Sequence, residues 1–261
     1  MYKLRTVILI IPAFNEEKKV SEVIRRTPRQ IVDTILVIDD GSTDGTAAAA
    51  QRHGAEVISL HKVWGVGFAI RKGYEEARRR GFDIAVVIAG NNKDAPEEIT
   101  RLLDPICEDN FDFVIGSRFL AGGAYGGDMP VYRKLATRIH PFLVSVICWK
   151  KVTESTNGYR ALKVSVLTDP RIILSAAWLD GYQLEVYLLL KLIKLAYQVK
   201  EVPVTKLYPS KAIGNTKMRP LIDWWNMLSP IVIVGFGLEK LVHLATIGSQ
   251  HDGNRFSKGN L

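Results

Sequence analysis

Short apolar runs alternate with helix-forming segments through the first half of the chain. The runs are rich in β-branched residues and are typical of strands buried on both faces; they cover residues 6–11, 34–38, 56–60, 84–88 and 111–115. The segments between them have helical spacing or composition and cover residues 16–26, 43–53, 67–80 and 96–108. Because strands that alternate with helices form right-handed βαβ units, the pattern predicts an α/β fold with a mostly parallel sheet flanked by helices.

Helix-start signals and the second half of the chain complete the predicted organisation. Ser42 or Thr43 is a candidate cap for the second helix, and Asp94, ahead of Pro96, is a candidate cap for the fourth. The later pattern predicts a glycine-rich loop, two helices and a strand, over residues 121–127, 131–149, 183–197 and 198–204. We expect an α/β domain, an interfacial basic and aromatic helical extension and a disordered tail, over residues 1–206, 207–247 and 248–261.

The residues that follow the predicted strands are informative, because ligands of open α/β sheets bind at the carboxyl ends of the strands. Residues 12–17 lack the glycines that cradle a pyrophosphate in dinucleotide-binding folds, which disfavours an NAD-dependent dehydrogenase. Residues 39–46 contain adjacent carboxylates and a tight turn, which suit a nucleobase N–H or ribose hydroxyls. The alternative is structural, with Asp44-Gly45 as a simple turn and Asp40 as a helix cap.

Residues 10–16 and 37–46 together resemble the two opening signatures of family 2 glycosyltransferases, which have the GT-A fold. Residues 64–73, 114–119 and 153–161 are similar to further family segments, and within the family the likeness is nearest to the polyprenyl-phosphate branch. The resemblance implies an inverting transfer of a hexose from a nucleotide-diphosphate sugar, of the GDP-mannose or UDP-glucose type, to a polyprenyl phosphate. The residues it implies for donor binding are Pro12, Phe14, Asn15, Glu16, Asp39, Asp40, Gly41, Ser42, Gly67, Arg71, Gly90 and Asn91.

The fourth strand departs from the family pattern at the position of the Asp-x-Asp motif, which holds a divalent metal. Ala89-Gly90-Asn91 stand there, so one carboxylate is absent and the other is an amide, which brings no charge to Mg²⁺ or Mn²⁺. We expect a divalent metal held by Asn91 and the diphosphate, with Asp94 as a second ligand. Two alternatives stay open: Lys93 neutralises the leaving diphosphate directly, or the chain is a catalytically silent nucleotide-sugar-binding protein.

Arginines after residue 116 are the candidates for phosphate recognition. Arg118 and Arg133 match positions that bind phosphate in the polyprenyl-phosphate enzymes of the family. A lipid phosphate is already an anionic nucleophile near neutral pH, whereas a sugar hydroxyl of a glycan or glycolipid needs a general base. Asp180 and Glu185 are the nearest carboxylates for that alternative. The catalytic candidates are therefore Asn91, Asp94, Arg118, Arg133 and Glu185.

The net charge of +8 favours an anionic partner. Nucleic acid is excluded as the leading partner because the basic residues are spread along the chain without an aromatic-basic RNA motif. Four cations precede Trp224-Trp225 and a short apolar segment, which predicts a membrane-surface segment; they are Lys206, Lys211, Lys217 and Arg219. A helix packed on the protein's own core or on a second subunit is the alternative. The N-terminus lacks a signal-peptide pattern, so we expect a cytoplasmic protein, peripheral on the inner face of the membrane.

Overall fold

A computed structural model describes residues 1–127, 129, 131–208 and 222–246, apart from the side chains of residues 131–133 and 222. The strands are β1 (Val7–Ala13), β2 (Thr34–Asp39), β3 (Glu56–Ser59), β4 (Ile84–Val87), β5 (Phe113–Ser117), β6 (Ala124–Gly127), β7 (Arg160–Lys163), β8 (Val199–Pro203) and β9 (Thr205–Tyr208). The α-helices are α1 (Glu17–Arg26), α2 (Thr46–Arg52), α3 (Val66–Arg79), α4 (Ile99–Cys107), α5 (Val131–Cys148), α6 (Gln183–Lys194) and α7 (Ile222–Gly235). Residues 239–246 are also helical.

Seven strands form one sheet in the order β3-β2-β1-β4-β7-β5-β8. Neighbouring strands are parallel except around β7, which lies antiparallel between β4 and β5. The remaining strands, β6 and β9, form a separate parallel pair. The α/β fold with a mostly parallel sheet flanked by helices is confirmed.

Helices cover both faces of the sheet, as the continuous apolar runs require. All seven residues of β1 are buried, and they alternate between two cores. Ile8 and Ile10 pack with residues of α3 and α6, whereas Leu9 and Ile11 pack with residues of α1 and α4. The alternation follows from the two-residue period of a strand, and it explains why β1 has no polar face.

The five strands and four helices expected in the first half are confirmed, but their predicted caps are wrong. Gly45 precedes α2, without a side-chain cap, because residues before it are held in a turn in which Asp44 Oδ1 accepts the Thr46 N–H at 3.0 Å. The predicted fourth helix begins as a 3₁₀ turn over Pro96–Glu98, and Ala95 rather than Asp94 precedes it.

Three strands were missing from the prediction: β6, β7 and β9. The first of these lies in the expected glycine-rich loop, where residues 124–127 pair with β9. Strand β7 contains only two apolar residues, Ala161 and Leu162, between Arg160 and Lys163. Its central position depends on pairing with β4 and β5, which are distant in sequence, so no local pattern marks it.

The C-terminal part of the described chain packs on the sheet domain. The expected domain boundary after residue 206 falls inside β9, and α7 contacts α5 and α6. The division into domains stays a prediction, and the expected disordered tail lies outside the described residues. Within residues 1–127, 131–208 and 222–246, no helix has the length and apolar character needed to cross a membrane.

Candidate active site

A cleft of about 950 Å³ lies at the carboxyl ends of the central strands, between the loops that follow β1, β2 and β4 and helices α5, α6 and α7. Among the residues expected to bind the donor, those that line the cleft are Pro12, Phe14, Glu16, Asp40, Gly90 and Asn91. Arg118 and Glu185 line it as well. The residues that follow the strand ends therefore predicted one wall of the cleft. Arg118 and Glu185, which were predicted from later segments, line the same cleft.

Asn15 and Ser42 join the loops that follow β1 and β2. The Asn15 N–H donates to Ser42 Oγ at 2.9 Å, and Asn15 Oδ1 accepts the Thr43 N–H at 2.8 Å. Asn15 has a φ of +50°, a left-handed conformation that asparagine tolerates better than most residues. Neither Asn15 nor Ser42 is among the residues that line the cleft. Their observed contacts set the shape of the binding wall.

Adjacent carboxylates Asp39 and Asp40 are both buried but contact different groups. Asp39 Oδ1 accepts the Ser42 N–H at 3.1 Å, which closes the turn at Gly41. Asp40, which lines the cleft, accepts the N–H groups of Trp64 and Gly65 at 2.8 and 2.9 Å. Burial raises the pKa of Asp40 above its ordinary value, against the effect of these two hydrogen bonds. Asp40 thus ties the start of α3 to the cleft as well as facing it.

Residues around the start of α3 line the cleft, among them Trp64 and Val66, but Gly67 and Arg71 pack against a loop instead. A Cβ on Gly67 would overlap the carbonyl oxygens of Leu179 and Gly181, so only glycine permits this approach. Arg71 binds the Asp180 carboxylate and donates to the Leu174 carbonyl at 2.7 Å. Neither Gly67 nor Arg71 lines the cleft. Their role in donor binding stays a prediction, and their observed contacts fix the loop over residues 174–181.

The end of β4 presents Gly90, Asn91 and Lys93 to the cleft. Asn91 Oδ1 accepts the Lys93 N–H at 3.2 Å. Asp94, the expected second metal ligand, is 2% exposed and is not among the lining residues. Its two carboxylate oxygens accept from Lys206 Nζ at 2.7 and 2.8 Å. Asp94 is therefore occupied by an internal cation.

Lys206 was expected in the membrane-surface segment, but the structure places its side chain inside the cleft. It is 8% exposed, lines the cleft, and donates to Asn157 Oδ1 at 2.7 Å in addition to its bonds with Asp94. A backbone bridge between Asp94 and Lys206 brings the two together. The correction has a physical reason, because β9 carries Lys206 to the end of β4, and the other three cations of the expected segment lie outside the described residues.

Arg118 lies at the centre of a buried polar network on the opposite wall. Its guanidinium donates to Glu154 at 2.6 Å, to the Tyr208 hydroxyl at 2.6 Å and to Thr156 Oγ1 at 2.9 Å, which accounts for three of its five N–H groups. Burial acts to lower the pKa of Arg118, but the Glu154 charge outweighs it and holds this pKa above its ordinary value. Glu154 is fully buried, and it was not recognised from the sequence as part of the site.

Glu185 and Arg160 lie side by side on the floor of the cleft. The Arg160 Nε is 3.9 Å from Glu185 Oε1, and Arg160 also donates to the Asn157 carbonyl at 2.6 Å and the Ser155 carbonyl at 2.9 Å. Burial raises the pKa of Glu185 above its ordinary value, although the Arg160 charge acts to lower it. A carboxyl group with a raised pKa in a cleft is a candidate for proton transfer.

His140 is a further lining residue that sequence reasoning missed. Its Nε2 lies 2.9 Å from the Met227 carbonyl, which can only accept, so Nε2 carries the proton. Burial lowers the pKa of His140, which favours the neutral ring, and Nδ1 then accepts a hydrogen bond from the Ser155 hydroxyl, 2.7 Å away. No local pattern in the sequence marked His140, because its partner Met227 lies in α7, which meets α5 only in the folded chain. Arg133 lies in α5, but its side chain is outside the described residues.

The side chains at the end of β4 fit a resident divalent metal poorly. Hard cations are held by carboxylates and phosphates, and here Ala89 offers no donor while Asn91 offers a neutral oxygen. In the part of the chain that the structure describes, no group of three or more His, Cys, Asp or Glu is placed to hold a metal ion. The chain's own donor set therefore gives little support to the expected metal site.

A mostly parallel α/β sheet with a cleft at its strand ends, an acidic turn on one wall and buried cations on the other, is typical of glycosyltransferases of the GT-A fold. The family model "Glycosyl transferase family 2" matches residues 8–169, and the chain belongs to this family. Its expected resemblance to the polyprenyl-phosphate branch is confirmed by its relatives. The chain is an enzyme of the glycosyltransferase class.

Two curated relatives carry names that state their acceptors. The chain is 33% identical to a polyprenol monophosphomannose synthase of Mycolicibacterium smegmatis over 221 residues, 81% of this chain and 80% of the relative. It is 30% identical to an undecaprenyl-phosphate mannosyltransferase of Micrococcus luteus over 218 residues, 81% of this chain and 87% of the relative.

A solved structure with the same fold is glucosyl-3-phosphoglycerate synthase from Mycobacterium tuberculosis, in complex with Mn²⁺, UDP and glucosyl-3-phosphoglycerate. The two chains are 20% identical with a TM-score of 0.63, and the match covers 88% of this chain and 78% of the other. At this identity the likeness shows the GT-A fold alone.

Proposed function

We propose that the chain transfers a hexose from a nucleoside-diphosphate sugar to a polyprenyl phosphate at a membrane surface, with inversion at the anomeric carbon. An oxygen of the acceptor phosphate bonds to that carbon while the bond from carbon to the donor diphosphate breaks, and the nucleoside diphosphate leaves. An in-line displacement of this kind inverts the configuration. The acceptor phosphate is an anion near neutral pH, so the step requires no general base.

The observation that carries the proposal is the division of one cleft into an acidic wall and a cationic wall. Asp40 supplies an acceptor suited to a nucleobase or ribose, whereas Lys93, Arg118 and Lys206 face the same space from the other side. Two phosphorylated ligands, the donor diphosphate and the acceptor phosphate, would meet Lys93 and Arg118, whereas Lys206 is bound to Asp94 and Asn157. Arg and Lys are the side chains that bind such groups most strongly.

An exposed apolar stripe on α5 supports a lipid acceptor. Leu135, Ile139, Phe142 and Val146 recur at helical spacing and are 47–65% exposed. Ile139 also lines the cleft, so the stripe is continuous with the cleft wall. Exposed cations flank it, namely Lys134, Arg138, Lys150 and Lys151. Apolar side chains rimmed by cations are suited to an anionic membrane surface, and a lipid acceptor would reach the cleft along this face.

Product analysis tests the proposal. Purified protein is incubated with a short polyprenyl phosphate in detergent and with GDP-mannose or UDP-glucose, and the lipid product is treated with mild acid. We expect a lipid-linked sugar that acid releases, because a glycosyl phosphate bond is acid-labile. If no lipid product forms and the sugar is transferred only when a glycan or glycolipid replaces the polyprenyl phosphate, giving a product that resists mild acid, the polyprenyl-phosphate acceptor is contradicted.

Transfer to a sugar hydroxyl is the second candidate, and the Glu185 carboxyl favours it. This carboxyl lines the cleft, and burial raises its pKa, both of which suit a general base. If Glu185 is that base, Glu185→Gln should lower turnover by about 10²–10⁴-fold. If the acceptor is a lipid phosphate, the same variant should lose far less. Asp180, the other candidate base, is bound to Arg71.

A further inference from the structure

The carboxyl end of β4 carries neutral side chains where the family pattern places metal-binding carboxylates. Ala89 and Asn91 both line the cleft, and the Asn91 amide oxygen is hydrogen-bonded to the Lys93 N–H. A divalent ion at this point would have an amide oxygen and the phosphates of its ligand as donors. Since carboxylates provide most of the protein's hold on such ions, the affinity contributed by the chain is small.

The next carboxylate along the chain, that of Asp94, is already bound to the ammonium group of Lys206. Asp94 Oδ1, Asp94 Oδ2 and Asn157 Oδ1 lie 2.7, 2.8 and 2.7 Å from Lys206 Nζ, and these three bonds use all three ammonium protons. The Asp94 carboxylate is fully buried in this pair. A metal ion could bind Asp94 only by displacing the Lys206 ammonium.

Two lysines, Lys93 and Lys206, line the cleft beside the position where the family pattern places a metal. A divalent ion held by two carboxylates is a neutral assembly before the diphosphate arrives. The Asp94–Lys206 pair is also neutral, Asn91 adds no charge, and Lys93 adds one positive charge. The Lys93 ammonium lies 5.4 Å from the centre of the Tyr208 ring, and the Tyr208 hydroxyl accepts from Arg118. Lys93 and Arg118 thus bring cationic side chains to the end of the cleft where the family pattern places a metal.

We propose that the Lys206 ammonium is a built-in replacement for the divalent metal, and that Lys93 binds the donor diphosphate without a metal ion. Lys206 acts as a positioning residue, because it holds Asp94 and Asn157 in a neutral cluster beside the diphosphate. The inference rests on the proposed function, in which the donor is a nucleoside-diphosphate sugar.

Calorimetric titration of the full chain with GDP and with UDP, in EDTA and in Mn²⁺, separates this inference from the proposed function. We expect one nucleotide to bind with affinities that differ by less than about threefold between the two buffers. Binding that occurs only in Mn²⁺ would overturn the metal-free site and leave the donor class intact. Failure of both nucleotides in both buffers would remove the donor class, and the inference with it.

Variants of the Asp94–Lys206 ion pair provide a second test. Lys206→Met leaves the Asp94 carboxylate beside the diphosphate, so affinity in EDTA should fall at least about tenfold and Mn²⁺ should restore it. The matched variant Asp94→Asn/Lys206→Met lacks both charges, and Mn²⁺ should restore nothing. A merely structural Lys206 would produce losses that ignore Mn²⁺ in both variants, which would overturn the proposal.

Two further variants keep the test open if Lys206→Met fails to fold. Asn91→Asp adds a carboxylate at the edge of the cleft, and its nucleotide affinity should become dependent on Mn²⁺. Lys93→Ala should weaken binding in EDTA by about tenfold or more, whereas Lys72→Ala, an exposed cation paired with Glu75, should leave it unchanged. Unchanged affinity in Lys93→Ala would contradict its role at the diphosphate.

Discussion

The Arg118–Glu154 pair illustrates how a residue chosen for phosphate binding is also part of the fold. Both side chains are buried, with 2% and 0% of their surfaces exposed, and they meet at 2.6 Å. Burial acts to raise the pKa of Glu154, but the charge of Arg118 keeps it below its ordinary value. A charged pair that is fully desolvated tolerates the loss of one partner poorly.

We therefore expect Arg118→Met to destabilise the protein by about 3–5 kcal/mol, because it leaves the Glu154 charge buried without its main partner. Denaturant unfolding measures the loss. The double variant Arg118→Met/Glu154→Gln should recover much of it, and phosphate affinity measured in that background separates binding from folding. A double variant no more stable than the single one would contradict this account of the pair.

Glu185 gives a prediction about pH. Its pKa is raised in the folded protein, so folding favours the protonated form and stability falls as pH rises from the unfolded pKa to the folded one. Glu185→Gln removes this dependence. The stability of the variant relative to the parent should therefore increase with pH above about 4.3, as followed by urea unfolding at several pH values. A stability difference that is constant with pH would contradict the raised pKa.

At the scale of elements, the approach of α3 to residues 179–181 depends on Gly67. Alanine normally stabilises a helix relative to glycine by about 0.8–1 kcal/mol. Gly67→Ala should do the reverse, because its methyl group would overlap backbone oxygens that have little freedom to move. Overpacking of this kind costs about 1–3 kcal/mol.

Thermal unfolding of Gly67→Ala measures that cost, and Gly126→Ala serves as the comparison because its added methyl meets only the Leu207 side chain, at 3.3 Å. Since α3 also begins at the Asp40 contacts, we expect weaker nucleotide binding in the Gly67 variant. If Gly67→Ala is as stable as the parent, the backbone of residues 179–181 moves to accommodate the methyl group, and the expected overpacking is contradicted.

The arrangement of β7 shows where sequence reasoning about elements ends. Strands β1 to β5 were predictable because each contains a short apolar run that is visible in the residues themselves, although β3, at the edge of the sheet, is only half-buried or exposed. Strand β7 separates β4 from β5, begins with Arg160 and ends with Lys163. Both strands that it pairs with are distant from it in the sequence. Its Arg160 donates to the Glu185 carbonyl, 25 positions away, a contact that forms only when the chain folds.

At the scale of the whole molecule, the α5 stripe predicts a membrane-binding face. Vesicle flotation with anionic lipid should recover the intact chain at low salt, and less of it at high salt, since cation attraction is screened over about 8 Å at physiological ionic strength. Phe142→Asp/Val146→Asp should abolish flotation while nucleotide affinity stays unchanged.

The control for flotation must change charge without removing apolar surface. Gln51→Asp/His53→Asp adds the same two negative charges at exposed positions around the end of α2, away from the stripe, and should still float. Equal loss in the two double variants would mean that net charge, rather than the α5 stripe, determines membrane binding.

Local sequence determined the sheet class, its first five strands and the residues of one wall of the cleft. The reason is physical: apolar periodicity fixes which faces are buried, and parallel strands bring their carboxyl ends to one edge of the sheet. The positions of the loop motifs that follow those strands, such as the turn containing Asp40, could therefore be predicted from the sequence alone.

Tertiary structure alone decided the partners of the charged residues. Lys206 and Asp94 are 112 positions apart, and Arg118 and Glu154 are 36 apart. Sequence reasoning placed Lys206 on a membrane surface and Asp94 on a metal, because an isolated cation or carboxylate is compatible with many environments. Only the position of β9 beside the end of β4 brings the two charges together, where loss of water makes each the necessary partner of the other.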